Sequence, residues 1–131
     1  HEGYGAACRR QGEGFLTWLP RMAPDDPMLA SAYAAARVFA LPSWFETPGL
    51  AALEAALAGC AVVITPFGCT REYFGDRVEY ARPDRPRQIS RSVVNAWRSG
   101  PDSGLASLIG RSFLWSAVAE KTADVYVRFA G

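Results

Sequence analysis

The sequence predicts an α/β fold in which a mostly parallel sheet is flanked by helices. Short segments rich in β-branched and apolar residues alternate with segments whose apolar residues recur at helical spacing. The clearest strand, residues 61–65 (A-V-V-I-T), is apolar without alternation, which is typical of a parallel strand covered on both faces. A length of 131 residues, 50% of them hydrophobic, suits one domain with a buried core.

Composition excludes several classes of protein. The evenly spread apolar residues exclude a collagen, a coiled coil and a disordered tail. A net charge of +1, from 14 basic and 13 acidic residues, creates no global field that would recruit nucleic acid. The three cysteines, Cys8, Cys60 and Cys69, are odd in number and lack metal-ligand spacing, which favours a reduced, cytoplasmic protein with small buried thiols.

Two strands and one helix are predicted before residue 42. Residues 15–19 are a short apolar run closed by Pro20, consistent with a buried strand. The segment D-D-P at 25–27 places an Asp cap before a proline in the first turn of a helix, and apolar residues follow at helical spacing. Residues 37–41 (R-V-F-A-L) predict the next strand, which stops before a proline.

Helices predominate in the remainder of the chain. A helix over residues 48–58 is predicted to end at Gly59 as a left-handed cap. After the strand at 61–65 we expect a loop, a short turn or helix around residues 72–74, and a short strand. That strand is predicted at residues 78–81, and three amphipathic helices follow it at 86–97, 105–113 and about 115–129.

One segment, residues 42–54 (P-S-W-F-E-T-P-G-L-A-A-L-E), combines the features of a ligand site. It leaves the carboxyl end of a predicted strand, where ligands of parallel α/β sheets bind, and enters a helix. Thr47 is a suitable N-cap, Pro48 fits the first helical position, and Gly49 lets a ligand approach the backbone. The free amides of the first turn, together with the helix dipole, favour an anion such as phosphate.

Two carboxylates flank this corner. Glu46 would repel a phosphate in direct contact, so we expect it to accept hydrogen bonds from hydroxyl groups. Glu54 projects near Leu50, Leu53 and Leu57 on the predicted apolar stripe, where a carboxylate is costly unless it is paired. Each can also be an ordinary solvated carboxylate, Glu54 at the edge of the stripe and Glu46 in its loop. Together they favour a ligand that carries both hydroxyls and phosphate, such as a nucleotide or a nucleotide sugar.

The pattern resembles the signature of retaining family-4 glycosyltransferases. Glu46 and Glu54 are separated by seven residues, preceded by L-P-S at 41–43 and followed by A-G-C-A-V-V at 58–63. Three further landmarks are similar to the family in order and separation. They are the tyrosine-containing segment at 32–39, P-F-G at 66–68 with Thr70 and Glu72, and S-F-L-W at 112–115. Enzymes of this family have two Rossmann-like domains facing a cleft, and the signature lies in the C-terminal one.

The resemblance implies that residues 1–131 are one nucleotide-sugar-binding domain of Rossmann-like fold, N-terminally incomplete. It implies that Glu46 is the catalytic residue, approaching the hydroxyls of the transferred sugar without acting as a nucleophile. Glu54 would hold the nucleotide ribose, and the other donor-binding residues would be Ser43, Thr47, Pro48, Gly49 and Leu50. The family reaction is a front-face transfer without metal, in which the leaving diphosphate helps to deprotonate the acceptor. We therefore expect no metal and no other cofactor.

The resemblance also implies what the 131 residues lack. Residues 1–5 are similar to the loop after the family's second strand, so the first βαβ stretch and the N-terminal acceptor domain have no counterpart here. We expect that acceptor domain as a partner, self-association through exposed sheet edges, and no sugar transfer by the isolated chain.

Other readings of the chain stay open. The arginine-rich segment 77–98 predicts a solvated face, with weak contact to anionic lipid as the alternative. The rival function is a non-catalytic remnant that acts as a binding or interaction module. A third function is another enzyme of this architecture, such as a sugar-nucleotide epimerase.

Overall fold

The computed structural model describes residues 2–129 as a three-layer α/β arrangement, with a parallel sheet between helices. The predicted fold class is therefore confirmed. The elements in chain order are α1 Glu2–Gln11, α2 Pro27–Ala35, β1 Val38–Leu41, α3 Leu50–Leu57, β2 Ala61–Ile64, α4 Thr70–Phe74, β3 Glu79–Tyr80, α5 Pro86–Ser99, α6 Leu105–Ser112 and α7 Trp115–Phe129.

The sheet has the order β1-β2-β3, and both pairs of strands are parallel. All four residues of the central strand β2 are buried. Val62 and Ile64 pack in the cluster that holds α3 and α6, whereas Ala61 and Val63 pack with α5. Because successive side chains of a strand point to opposite faces, a strand covered on both sides must be apolar throughout. This explains the unbroken apolar run that the sequence shows.

Local signals place most of the element boundaries correctly. Asp26 caps α2 as predicted, since its carboxylate accepts a hydrogen bond from the amide of Met28 at 2.9 Å. Gly59 follows α3 with a φ of 95°, the left-handed conformation that the sequence predicted after this helix. The helices predicted near residues 86–97, 105–113 and 115–129 are also present. Across residues 2–129, no helix is both long and apolar enough to cross a bilayer.

Two predictions before residue 20 are wrong. Residues 15–19 form no strand, because the amides of Phe15 and Leu16 donate to the Gly12 carbonyl in a turn after α1. The run is not buried either, since Phe15 is 76% exposed. The segment predicted as a loop, residues 1–5, is helical from residue 2, whereas His1 lies outside the described residues. The hydrogen bonds of a helix are local, so α1 needs no neighbouring strand.

The sheet places three connections at one edge. The strands are parallel, so the segments after β1, β2 and β3 all leave the sheet at their carboxyl ends. These segments are residues 42–49, 65–69 and 81–85. The first of them carries Glu46, so the candidate site lies at the edge that the sequence predicted.

Candidate functional site

The corner between β1 and α3 forms the backbone of the site. Gly49 is the N-cap of α3, with a φ of 86°, and its carbonyl accepts hydrogen bonds from the amides of Ala52 and Leu53. The helix therefore begins at Leu50, so the expectations that Thr47 is the N-cap and Pro48 the first helical residue are wrong. Only glycine adopts this left-handed conformation freely, which shifts the helix start to the residue after it.

No side chain caps this helix start. Among residues 2–129, the amides of Leu50 and Ala51 have no hydrogen-bond partner. Gly49 itself is buried, whereas Leu50 is 54% exposed. The first turn of α3 thus presents free donors at the positive end of the helix dipole, an arrangement that attracts phosphate.

Glu46 is fixed by the loop that follows β2. Its amide donates to the Phe67 carbonyl at 3.3 Å, and its carbonyl accepts from the Cys69 amide at 3.1 Å. This pairing forms a parallel bridge with Gly68 beyond the ends of β1 and β2. Glu46 is half-buried, and its carboxylate lies beside Gly49, where a Cβ atom would stand 3.6 Å from Oε2. The structure therefore brings Glu46 to the start of α3.

Two buried threonines shape the loop that holds Glu46. Thr65 and Thr70 are both fully buried. The Thr70 hydroxyl donates to the Thr65 carbonyl at 2.8 Å, and the Thr65 hydroxyl accepts from the Phe67 amide at 3.3 Å. These bonds satisfy polar groups that would be costly to bury unpaired. Thr65 was not among the predicted site residues, although a threonine that ends a buried apolar strand is a usable signal.

Glu54 lies on the exposed side of α3, one turn after Leu50. The buried side of the helix is formed by Ala52, Leu53, Ala55 and Ala56. Leu57 is 40% exposed, so the apolar stripe predicted through Leu50, Leu53 and Leu57 is wrong, because three small alanines face the core in its place. The Glu54 carboxylate is therefore not a buried charge.

The carboxylate of Glu54 has a partner in Tyr33 of α2. The Tyr33 hydroxyl donates to Glu54 Oε2 at 3.3 Å, and the Tyr33 ring packs edge-on against Phe39 at 5.7 Å. Burial and the neighbouring Glu54 carboxylate raise the pKa of Tyr33, so the hydroxyl stays protonated and donates. Tyr33, predicted only as part of the family landmark at 32–39, thus contacts the candidate site through Glu54.

Glu54 lines two hollows. One has a volume of about 520 Å³ and contains Tyr33 and the residues before α2. The other, about 430 Å³, runs along α3 from Pro48 to Leu57 and is closed by apolar side chains at the α6–α7 junction. Glu54 and the start of α3 therefore share a hollow, and Glu46 is not among the residues that line either one. Ser43 is half-buried in the segment after β1.

Metal ligands do not gather in the described part of the chain. Among residues 2–129, no group of three or more His, Cys, Asp or Glu side chains is placed to hold a metal ion. The three cysteines are unpaired, and the buried Cys60 thiol donates to the Tyr33 carbonyl at 3.1 Å. The polar chemistry of the corner thus comes from carboxylates, a phenol and backbone amides.

Comparison with known proteins reveals similarity along most of the chain. Residues 3–99 match the family model described as glycosyl transferases group 1. The chain is 32% identical over 120 residues to O-antigen chain mannosyltransferase B of Escherichia coli, covering 87% of this chain and 30% of that protein. It is 36% identical over 115 residues to D-inositol 3-phosphate glycosyltransferase of Streptosporangium roseum, covering 81% and 26%.

The fold also resembles that of a solved structure. Sucrose-phosphate synthase from Thermosynechococcus elongatus superposes with a TM-score of 0.81 at 19% identity, over 97% of this chain and 33% of that one. At this identity the likeness concerns the fold alone. The chain spans about a third or less of the length of each of these three proteins.

Proposed function

Because the chain belongs to the glycosyl transferases group 1 family, we propose that it is the donor-binding part of a retaining glycosyltransferase that moves a sugar from a nucleotide sugar to an acceptor. One observation supports this above the others. Along the chain, the Glu46 carboxylate comes first, the uncapped amides at the start of α3 follow, and the Glu54 carboxylate lies one turn further. The sugar hydroxyls, the diphosphate and the ribose hydroxyls follow one another in the same order in a nucleotide sugar.

Three groups of the donor, namely the diphosphate, the ribose and the sugar, have a matching partner. The amides of Leu50 and Ala51 suit the diphosphate, since they are free donors at a helix N-terminus. Glu54 lies about 6 Å further along the helix axis, at a rise of about 1.5 Å per residue. Its carboxylate suits the ribose hydroxyls, with Tyr33 holding Oε2. Glu46, beside Gly49, suits the hydroxyls of the sugar.

The chemistry that we propose depends on position and charge. The amides at the start of α3 stabilise the negative charge that develops on the leaving diphosphate. Glu46 orients the sugar through hydrogen bonds to its hydroxyls and forms no covalent bond with it, so its contribution is placement of the anomeric carbon. The acceptor oxygen forms a bond to the anomeric carbon while the bond from that carbon to the diphosphate oxygen breaks. The acceptor approaches on the face from which the diphosphate leaves, and the freed diphosphate oxygen takes the acceptor's proton. No metal is required in this scheme, because backbone amides supply the charge stabilisation.

Neutralising each carboxylate separates its role from that of the other. The ligands are UDP, GDP, UDP-glucose and GDP-mannose. For the base that the site accepts, we expect Glu54→Gln to weaken binding of the nucleoside diphosphate and of its sugar nucleotide equally, about tenfold, since a charge-assisted hydrogen bond is lost. We expect Glu46→Gln to weaken only the sugar nucleotide, by a similar factor, and to leave the nucleoside diphosphate unchanged. Isothermal titration calorimetry of the purified chain measures both effects.

The matched control is Glu120→Gln, which makes the same change at an exposed position of α7. It should leave all affinities unchanged. Equal weakening of UDP and UDP-glucose by Glu46→Gln would refute its assignment to the sugar. If neither the chain nor its variants bind any of the four compounds, the donor-binding function is refuted. The rival function, a binding or interaction module that kept the fold, is then favoured.

We expect the chain by itself to bind a donor without transferring its sugar. It spans 30% and 26% of the lengths of the two transferases that it resembles in sequence, and we place only donor contacts within it. We therefore incubate the chain with a panel of sugar nucleotides and simple sugar acceptors. The rate at which it releases nucleoside diphosphate should not exceed that of the Glu46→Gln variant. Release that needs both an acceptor and Glu46 would contradict this expectation.

A further inference from the structure

A further hollow, separate from the two that Glu54 lines, lies at the carboxyl edge of the sheet. It has a volume of about 650 Å³ and lies between the segment after β3 and the first turns of α5. We call it the arginine hollow. Its lining consists of four arginines, one acid and two uncharged residues: Arg82, Arg85, Arg87, Arg91, Asp84, Pro86 and Gln88.

Asp84 neutralises only part of this charge. Arg82 donates two hydrogen bonds to the Asp84 carboxylate, both at 2.9 Å, and Arg85 lies 3.8 Å from the same group. Arg87 and Arg91 form no ion pair with any residue between 2 and 129. They are one turn apart on α5, so their guanidinium groups project from the same face of the helix. Two unneutralised cations thus border one concave surface.

The floor of the arginine hollow is held by local contacts. The side chain of Gln88 accepts a hydrogen bond from the Arg82 amide at 3.3 Å and donates to the Tyr80 carbonyl at 3.4 Å. The Arg82 guanidinium also lies over the Phe67 ring, 5.3 Å from its centre. Phe67 accepts the hydrogen bond of the Glu46 amide. The arginine hollow is therefore linked by direct contact to the loop after β2, which in turn pairs with Glu46.

We propose that the arginine hollow binds a phosphate group, carried by a free phosphorylated compound or by the headgroup of an anionic lipid. Guanidinium groups present paired N–H donors that match phosphate oxygens, and two of them can balance a doubly charged phosphate. Arg82 is engaged by Asp84, so Arg87 and Arg91 are the cations left to contact the ligand. The hollow is exposed, so binding weakens as salt is raised. The proposal does not depend on the donor site.

The test replaces the two unpaired cations by shorter side chains that are polar and uncharged. The variant is Arg87→Gln with Arg91→Gln, and the matched control is Arg98→Gln with Arg111→Gln. The control makes the same change in charge on α5 and α6, outside the arginine hollow. All four side chains are exposed, and thermal melting checks that each variant is folded. The first probe is inorganic pyrophosphate, whose binding is measured by calorimetry. The second probe is vesicles of phosphatidylcholine, with or without phosphatidylglycerol, whose binding is measured by flotation.

The two arms distinguish the sources of the phosphate. Pyrophosphate binding that falls about tenfold or more in the Arg87/Arg91 variant and not in the control assigns the hollow to a soluble phosphorylated compound. Flotation that needs phosphatidylglycerol and is lost only in that variant assigns it to a lipid headgroup. Equal losses of binding in both variants would show that net charge, and not the arginine hollow, causes the binding, and this would overturn the proposal. Absence of binding in both arms would overturn it as well.

Discussion

Replacing Gly68 by alanine is expected to destabilise the chain by about 3 kcal/mol, and to disturb the site as it does so. A Cβ atom at Gly68 would stand 2.1 Å from the Glu46 carbonyl oxygen, and the backbone has a φ of 93°. The left-handed conformation costs a non-glycine residue about 1–2 kcal/mol, and forcing an atom into a packed contact costs about 1–3 kcal/mol more. The contact is with backbone, so no side-chain rotation relieves it.

Gly59→Ala is the matched control, since Gly59 has nearly the same φ, 95°, with no atom within 4 Å of its Cβ position. It should cost only the conformational part, about 1–2 kcal/mol. Urea unfolding of both variants measures the difference. Gly68→Ala should also weaken binding of a sugar nucleotide, because the Glu46 backbone must move away. Equal losses of stability in the two variants would mean that the bridge between Glu46 and Gly68 does not hold the loops together.

Phe74→Ala is expected to lower the free energy of unfolding by about 3–5 kcal/mol. Phe74 is the largest fully buried side chain in the described residues, and it packs with β2, α3 and α6 in one cluster. It is also the last residue of the short helix α4, which begins at Thr70, next to the loop that fixes Glu46. A cavity here removes the anchor of that helix, and many domains of this size have only about 5–15 kcal/mol of stability in total.

Phe129→Ala makes the same substitution at a residue that is 87% exposed, so its effect should stay within about 0.5 kcal/mol. Urea unfolding followed by far-ultraviolet circular dichroism compares the two variants. Phe74→Leu, which fills most of the space, should fall between them. A loss for Phe74→Ala no larger than that for Phe129→Ala would contradict the packing of α4 against the core.

The fold could be predicted wherever the apolar residues of the sequence pattern are the residues that the structure buries. The apolar run of β2 and the helical spacing in α5 and α6 each reflect the surface that the element buries. Residues 15–19 show the limit of this reasoning. A run of apolar residues predicts burial, but no neighbouring strand pairs with this one in the described chain, and it is exposed. Similarly, the resemblance to the family predicted a loop at residues 1–5, yet a helix that begins at Glu2 forms there through its own hydrogen bonds.

The site was predictable in its location and less so in its contacts. A strand that stops before Pro42 and a helix that starts near Gly49 place the corner from sequence alone. The cap differs from the predicted one because the left-handed conformation of Gly49 places the N-cap two residues after Thr47, so the helix begins at Leu50. The family roles of Ser43, Pro48 and Leu50 toward a donor stay predictions, like those of Glu46 and Glu54.

The fold class, the family, the two carboxylates and the edge of the sheet where they lie follow from the amino-acid sequence alone, because periodicity, caps and motif spacing are properties of short stretches. The partners of those carboxylates follow only from the folded arrangement. Glu46 is held by a bridge to Gly68, and Glu54 by the hydroxyl of Tyr33, 21 residues earlier. Such contacts depend on how two loops or two helices meet, and packing of the whole core fixes that geometry.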